Sequence, residues 1–143
     1  LVGSEMYIRD RNPSFVAEYT GLKNLEMLAC IKNKIEIEDI RHAMEQMGLD
    51  PGDKRTYKKY SLGMKQKLGI AAAFMEKPDI IILDEPINAL DEAGAKQVHK
   101  ILEEQKKRGA LIIIACHDKE ELEMLSDEII EIYEGRIVAG EKE

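Results

Sequence analysis

Ile80-Ile81-Ile82-Leu83-Asp84-Glu85-Pro86 sets four apolar residues directly before two carboxylates and a proline. A short, continuous apolar run reads as a strand of a parallel sheet buried on both faces, so this stretch predicts an α/β fold. Open α/β sheets gather their ligands beyond the C-terminal ends of the strands, which is where Asp84 and Glu85 fall. Adjacent carboxylates there repel each other unless a cation or ordered water is shared between them, and oxygen donors of this kind suit magnesium. Asp84 would then hold the ion through its water shell, and Glu85 would orient or deprotonate an attacking water. The competing reading is a strand that ends in a solvated acidic turn; the string alone does not separate the two.

Downstream, the alternation of helix and strand continues. Residues 93–108 form an amphipathic helix whose face is marked by Val98, Ile101, Leu102 and Gln105, with Gly109 where a C-terminal cap belongs. Residues 111–115 read as the next strand. Asp118, with Glu121 three residues on, has the form of a capping box opening a short helix to Leu125, and residues 128–133 read as a strand ending at a Gly135 turn. The order is βαβαβ, with right-handed crossovers expected. His117 directly follows the 111–115 strand. A histidine there can hydrogen-bond a transferring phosphoryl group or steady a base that activates water; the alternative is a polar strand terminus. His42 and His99 lie on helices among polar residues and read as structural.

Upstream of Pro78 the texture is helical. Leu22, Leu25, Leu28 and Ala29 form one apolar face, Ile37, Ile40, Met44 and Met47 another, and Gly48 with Pro51, Gly52 and Asp53 interrupts them. A third helix is expected near Ser61, carrying Leu68, Ala71, Ala72 and Met75 at helical spacing. At its start, Tyr60-Ser61-Leu62-Gly63-Met64-Lys65-Gln66 brings together a hydroxyl, a glycine and the free amides of a helix N-terminus, which together can cradle phosphate. An ordinary Ser N-cap produces the same string.

Composition bounds the function classes. The 143 residues are 44% hydrophobic, enough for one compact core and too few for two ordinary domains. A net charge of -7 disfavours broad contact with nucleic-acid phosphates. No apolar run approaches the roughly 20 residues that span a bilayer, and the N-terminus has no signal-peptide pattern, so a cytosolic chain is expected. Cys30 and Cys116 lack metal-site spacing and read as small buried residues in a reducing compartment. Leu1 in place of Met, running into strand-like sequence, suggests a chain cut from something longer.

Taken in order, these motifs resemble the ATP-binding cassette (ABC) family. Tyr60 to Gln66, continuing Lys67-Leu68-Gly69-Ile70-Ala71, is similar to its signature motif, Ile80 to Glu85 to its Walker B strand, Ala89-Leu90-Asp91 to its D-loop, and His117 to its switch histidine. Asn12-Pro13-Ser14-Phe15 and the segment from Tyr19 to Leu25 resemble the passage from the Q-loop into the helical subdomain, in the manner of bacitracin-type and multidrug exporters. The resemblance implies a P-loop NTPase-like (RecA-like) parallel sheet core, partial here, with an inserted α-helical subdomain. Residues 1–12 would be the end of a core strand and the Q-loop region, 13–76 the helical subdomain with the signature, and 77–143 the C-terminal part of the ATPase core.

By the same resemblance, the cofactors are ATP and Mg2+. Glu85 and His117 would be catalytic, Asp84 would serve the magnesium shell through water, and Ser61, Gly63 and Gln66 would meet ATP held by a second ATP-binding domain, with Asp91 linking the two sites. Membrane-spanning permease subunits would be the further partners, nucleic acid would not be one, and the protein would sit on the inner face of the cell membrane. Three departures bear on this. No G-x-x-x-x-G-K-[ST] occurs in the sequence, so this chain alone should bind ATP poorly. Leu62 and Met64 stand where glycine and glutamine are commoner, and Arg11 falls where a Q-loop glutamine or glutamate is expected. The rival function is a non-hydrolysing module that completes a partner's ATP site.

Overall fold

The computed structural model describes residues 6–9, 15–32 and 34–142. Three parallel strands, β1 (Met6–Arg9), β2 (Ile80–Asp84) and β3 (Leu111–Ala115), lie side by side in that order. Register pairs Ile81 with Tyr7 on one side and Ile112 on the other, and Asp84 with Ala115. The decisive strand is thus central. Its neighbours protect both of its edges, and its C-terminal carboxylates emerge where the β2–β3 ladder ends.

Between β1 and β2 the chain folds into α1 (Gly21–Lys32), α2 (Ile37–Gln46), a single 3-10 turn (Tyr57–Lys59) and α3 (Leu62–Phe74). Leu25, Ala29, Ile40, Met44 and Met47 from the first two helices are buried together, as their spacing predicts. Residues 68–74 of α3 are all buried, because this helix joins the helical layer to the strands. Gly48 ends the second helix region at φ +67, with Leu49 N–H on the Met44 carbonyl. Gly109 ends α4 (Glu92–Lys107) at φ +97, with Ala110 N–H on the Gln105 carbonyl. Both are left-handed C-terminal caps, where a glycine avoids the steric cost of a Cβ.

Three expectations are corrected. The sheet is not buried on both faces: Ile81 and Leu83 are sealed, whereas Leu111 and Ile113 on the opposite face are exposed. Apolar runs report strand character but not how many layers cover it. Next, β4 (Glu128–Tyr133) does not join the parallel sheet. It pairs antiparallel with β5 (Arg136–Lys142), across a turn in which Glu134 and Gly135 both take positive φ. That turn geometry matches the twist of a two-residue hairpin, so β4 pairs with the strand that follows it and not with β3. Finally, Cys30 is exposed and Cys116 only half-buried, so neither is a fully buried core residue.

Two leucines near the start of α3 test the packing. Leu68 is 0% exposed and Leu62 70%. Leu68→Ala should cost about 2–5 kcal/mol of unfolding free energy, and Leu62→Ala less than about 0.5 kcal/mol, both read by urea denaturation.

Candidate active site

At the end of β2 the backbone leaves the ladder abruptly. Glu85 still donates its N–H to the Ala115 carbonyl at 2.8 Å, yet its φ is +48. A non-glycine residue in that region carries about 1–3 kcal/mol of strain and persists only where neighbours enforce it. Pro86, fully buried behind it, fixes the path onward. Ala89, at φ +72, is a second left-handed residue in the same loop. The chain then reaches Asp91, which caps α4 by accepting from Gly94 N–H at 2.8 Å.

This turn aims the Glu85 side chain at the end of β3. His117 Nδ1 lies 2.6 Å from Glu85 Oε1, with Glu85 buried and the imidazole 80% exposed. The hydrogen bond from His117, ahead of the opposing effect of burial, holds the Glu85 carboxyl below its usual range. The same bond, reinforced by the carboxylate's charge, raises the His117 imidazole. Burial and the neighbouring carboxylates push the Cys116 thiol up to about 11. With Nδ1 donating to Glu85, a protonated ring has its Nε2–H left to offer an anion.

Cys116 Sγ lies 3.6 Å from Glu85 Oε2 and 3.2 Å from Glu121 Oε2. Thus the expected capping box is half made: Asp118 accepts from Glu121 N–H at 3.2 Å, but the Glu121 carboxylate turns to the thiol, and Asp118 N–H points at that sulfur. A reciprocal pair does form at the start of α2, where Glu36 N–H donates to Asp39. The sequence signal there, an acidic residue three after an acidic cap, was too ordinary to single out.

The phosphate-cradle candidate opens on a cleft whose lining contains neither Glu85 nor His117. Ser61 Oγ accepts from Met64 N–H at 3.2 Å, so the hydroxyl is an N-cap, and it lines a cleft of about 530 Å³ with Gly63, Lys67, Leu90 and Asp91. A Cβ on Gly63 would come to 3.2 Å from the Ala89 carbonyl, so any larger residue there makes the loop give by a few tenths of an ångström. Gln66 does not accompany Ser61 into that cleft. Its Nε2 donates to the Glu85 carbonyl at 2.7 Å and the Pro86 carbonyl at 2.8 Å. Gln66 precedes buried Gly69 and Ile70 by three and four residues, the helical spacing that shares a face, and that was the available signal. Arg11 lies outside the described residues. His42 is exposed.

The family model described as "ABC transporter" matches residues 4–88. The chain belongs to the ABC transporter family. An uncharacterized ABC transporter ATP-binding protein, YybJ of Bacillus subtilis (strain 168), is 44% identical over 131 residues, covering 92% of this chain and 60% of the relative. The bacitracin transport ATP-binding protein BcrA of Enterococcus faecalis is 39% identical over 127 residues, covering 88% of this chain and 41% of the relative. The chain therefore spans 41% to 60% of the length of these two ABC proteins. A solved dimeric ATP-binding cassette, MJ0796 in a post-hydrolysis state bound to ADP and Pi, superposes with a TM-score of 0.86 at 19% identity. It covers 97% of this chain and 63% of that one, and shows the P-loop NTPase fold of ABC ATPase domains. Among the described residues no helix is long and apolar enough to cross a membrane.

The Glu85–His117 pair carries a pH signature. His117 ordinarily titrates near 6.5 and is raised, so its contribution is full below 6.5 and lost as pH rises through the raised value. Glu85 ordinarily titrates near 4.5 and is lowered, so its contribution is full above 4.5 and lost as pH falls through the lowered value. The urea midpoint of wild type should therefore exceed that of Glu85→Gln most between pH 4.5 and 6.5. A difference that does not vary with pH would contradict the pairing.

Proposed function

We propose that this chain supplies the hydrolytic carboxylate and the signature face of an ATP-hydrolysing subunit that powers an exporter. The observation carrying this reading is the 2.6 Å Glu85–His117 contact, held beyond a parallel strand by a strained turn. Glu85, kept ionised by His117, is the base that takes a proton from the attacking water. His117 directs its second ring nitrogen toward the γ-phosphate, where negative charge must be met as the bond breaks. Asp84 is a half-buried carboxylate at the C-terminal end of β2, and its oxygens fit Mg2+ held through water. That ion, when bound with ATP, neutralises charge on the phosphates. The chain's own residues position the water and accept its proton.

The lining of the cleft beside Ser61 and Gly63 includes neither Glu85 nor His117, and its cap and close-packed glycine suit contact with ATP held by a second ATP-binding domain. Two such domains closing head to tail, as a homo- or heterodimer, would place Asp91 between the two sites and drive permease subunits at the inner face of the membrane. The BcrA name supports transport, and export as its direction rests on the resemblance to bacitracin-type exporters. Residues 1–12 then belong to the Q-loop region, 13–76 to the helical subdomain and 77–143 to the ATPase core. Because no phosphate-binding loop occurs in this sequence, the chain alone binds ATP poorly. A second reading, a non-hydrolysing module that completes a partner's site, rests on the cleft beside Ser61 and Gly63 alone.

Turnover separates the two. In an assembly with a complete phosphate site, Glu85→Gln should lower ATP hydrolysis about 10²- to 10⁴-fold while sparing ATP binding, and His117→Ala should cripple it as well. Unchanged hydrolysis in both variants would favour the non-hydrolysing module.

A further inference from the structure

We propose that Gln66 is a positioning residue: its amide fixes the backbone of Glu85 and thereby sets the aim of the carboxylate. Resting on the reading of Glu85 as the base, this deepens that site with a residue that acts through the backbone of Glu85.

The case begins with what the turn leaves without a ladder partner. Once φ at Glu85 becomes +48, the carbonyls of Glu85 and Pro86 point out of the β2–β3 ladder. Buried carbonyls need donors, and a primary amide offers two N–H groups from one nitrogen. Gln66 Nε2 lies 2.7 Å from the first carbonyl and 2.8 Å from the second. Glu85 is thereby held from both sides, its N–H by Ala115 of β3 at 2.8 Å and its C=O by α3. Tilting either peptide plane swings the Cα–Cβ bond, and with it the carboxylate that meets His117 at 2.6 Å and Cys116 Sγ at 3.6 Å.

A second contact makes α3 and the loop move together. The Gly63 backbone packs so closely on Ala89 that a Cβ would come to 3.2 Å from the Ala89 carbonyl. The first turns of α3 thus grip the 85–89 loop at both ends, through Gln66 at the base and Gly63 at the D-loop. A displacement of α3 by about 1 Å would carry the Gln66 bonds beyond hydrogen-bond range. Ser61 sits at the head of the same helix. Engagement of the signature face is therefore transmitted to the base that faces the other nucleotide.

The test uses Gln66→Met, which keeps length and helix propensity but has no donor, and Gln66→Glu, which keeps shape and exchanges donors for acceptors. The pH titration of the His117 ring, followed by NMR in this chain, reports the position of the Glu85 carboxylate. Gln66→Met should move the His117 midpoint down from wild type toward that of Glu85→Gln, Gln66→Glu should shift it from wild type, and an Ile101→Val control should leave it unchanged. In the ATP-hydrolysing assembly, Gln66→Met should lower kcat by about tenfold or more and leave KM for ATP within about twofold. An unshifted His117 midpoint in both variants, an unchanged kcat, or loss of the fold in both, which would make Gln66 a structural staple, overturns the proposal. The ring titration needs no nucleotide, so it stands or fails separately from the ATPase reading. That reading fails if Glu85→Gln hydrolyses normally.

Discussion

The left-handed turn at Glu85 is the constraint around which the rest of this structure is arranged. A carboxylate at the end of a buried strand would ordinarily continue the pleat and point away from its neighbour. Here, φ of +48 bends the chain so that the side chain meets His117 beyond the adjacent strand. Such strain survives only when it is over-determined. Ala115 holds the N–H, Gln66 the carbonyls, and Pro86 the onward path, while the sealed Ile81 and Leu83 anchor the strand itself. The helical layer therefore does more than cover a sheet, since α3 supplies one of the clamps.

This arrangement gives the molecule two functional faces joined by one helix. The carboxylate and imidazole lie at the sheet edge, and the capped start of α3 opens on a separate cleft. The lining of that cleft contains neither Glu85 nor His117. That geometry is the physical basis for proposing that two ATP-binding domains share their nucleotides.

Much of this was legible in the sequence because the signals were local. The run 80–83, the helical spacing of Leu25, Ala29, Ile40 and Met44, and the glycines at 48 and 109 each depend on nearest neighbours along the chain. Proximity of Glu85 to His117 could be expected only from the family resemblance, since 32 residues separate them. What escaped was set by tertiary geometry. Nothing in the apolar pattern of 111–115 says that one face stays exposed. The turn at Glu134 and Gly135 sends β4 into a hairpin although its composition suits a parallel strand. Gln66 sits within a phosphate-cradle string, and its inward orientation follows from the carbonyls that the strained turn frees.

The central claim, that base and signature face serve different nucleotides, is tested most directly by mixing two inactive forms of the ATP-hydrolysing assembly. One carries Glu85→Gln and the other Gly63→Asp, which places a side chain against the Ala89 carbonyl and a negative charge at the cleft. The account predicts that phosphate release, lost in each alone, returns when the two are mixed, because one intact base then meets one intact signature. A mixture as inactive as its components, although mixed pairs are shown to form, would contradict it and place both residues in the service of a single nucleotide.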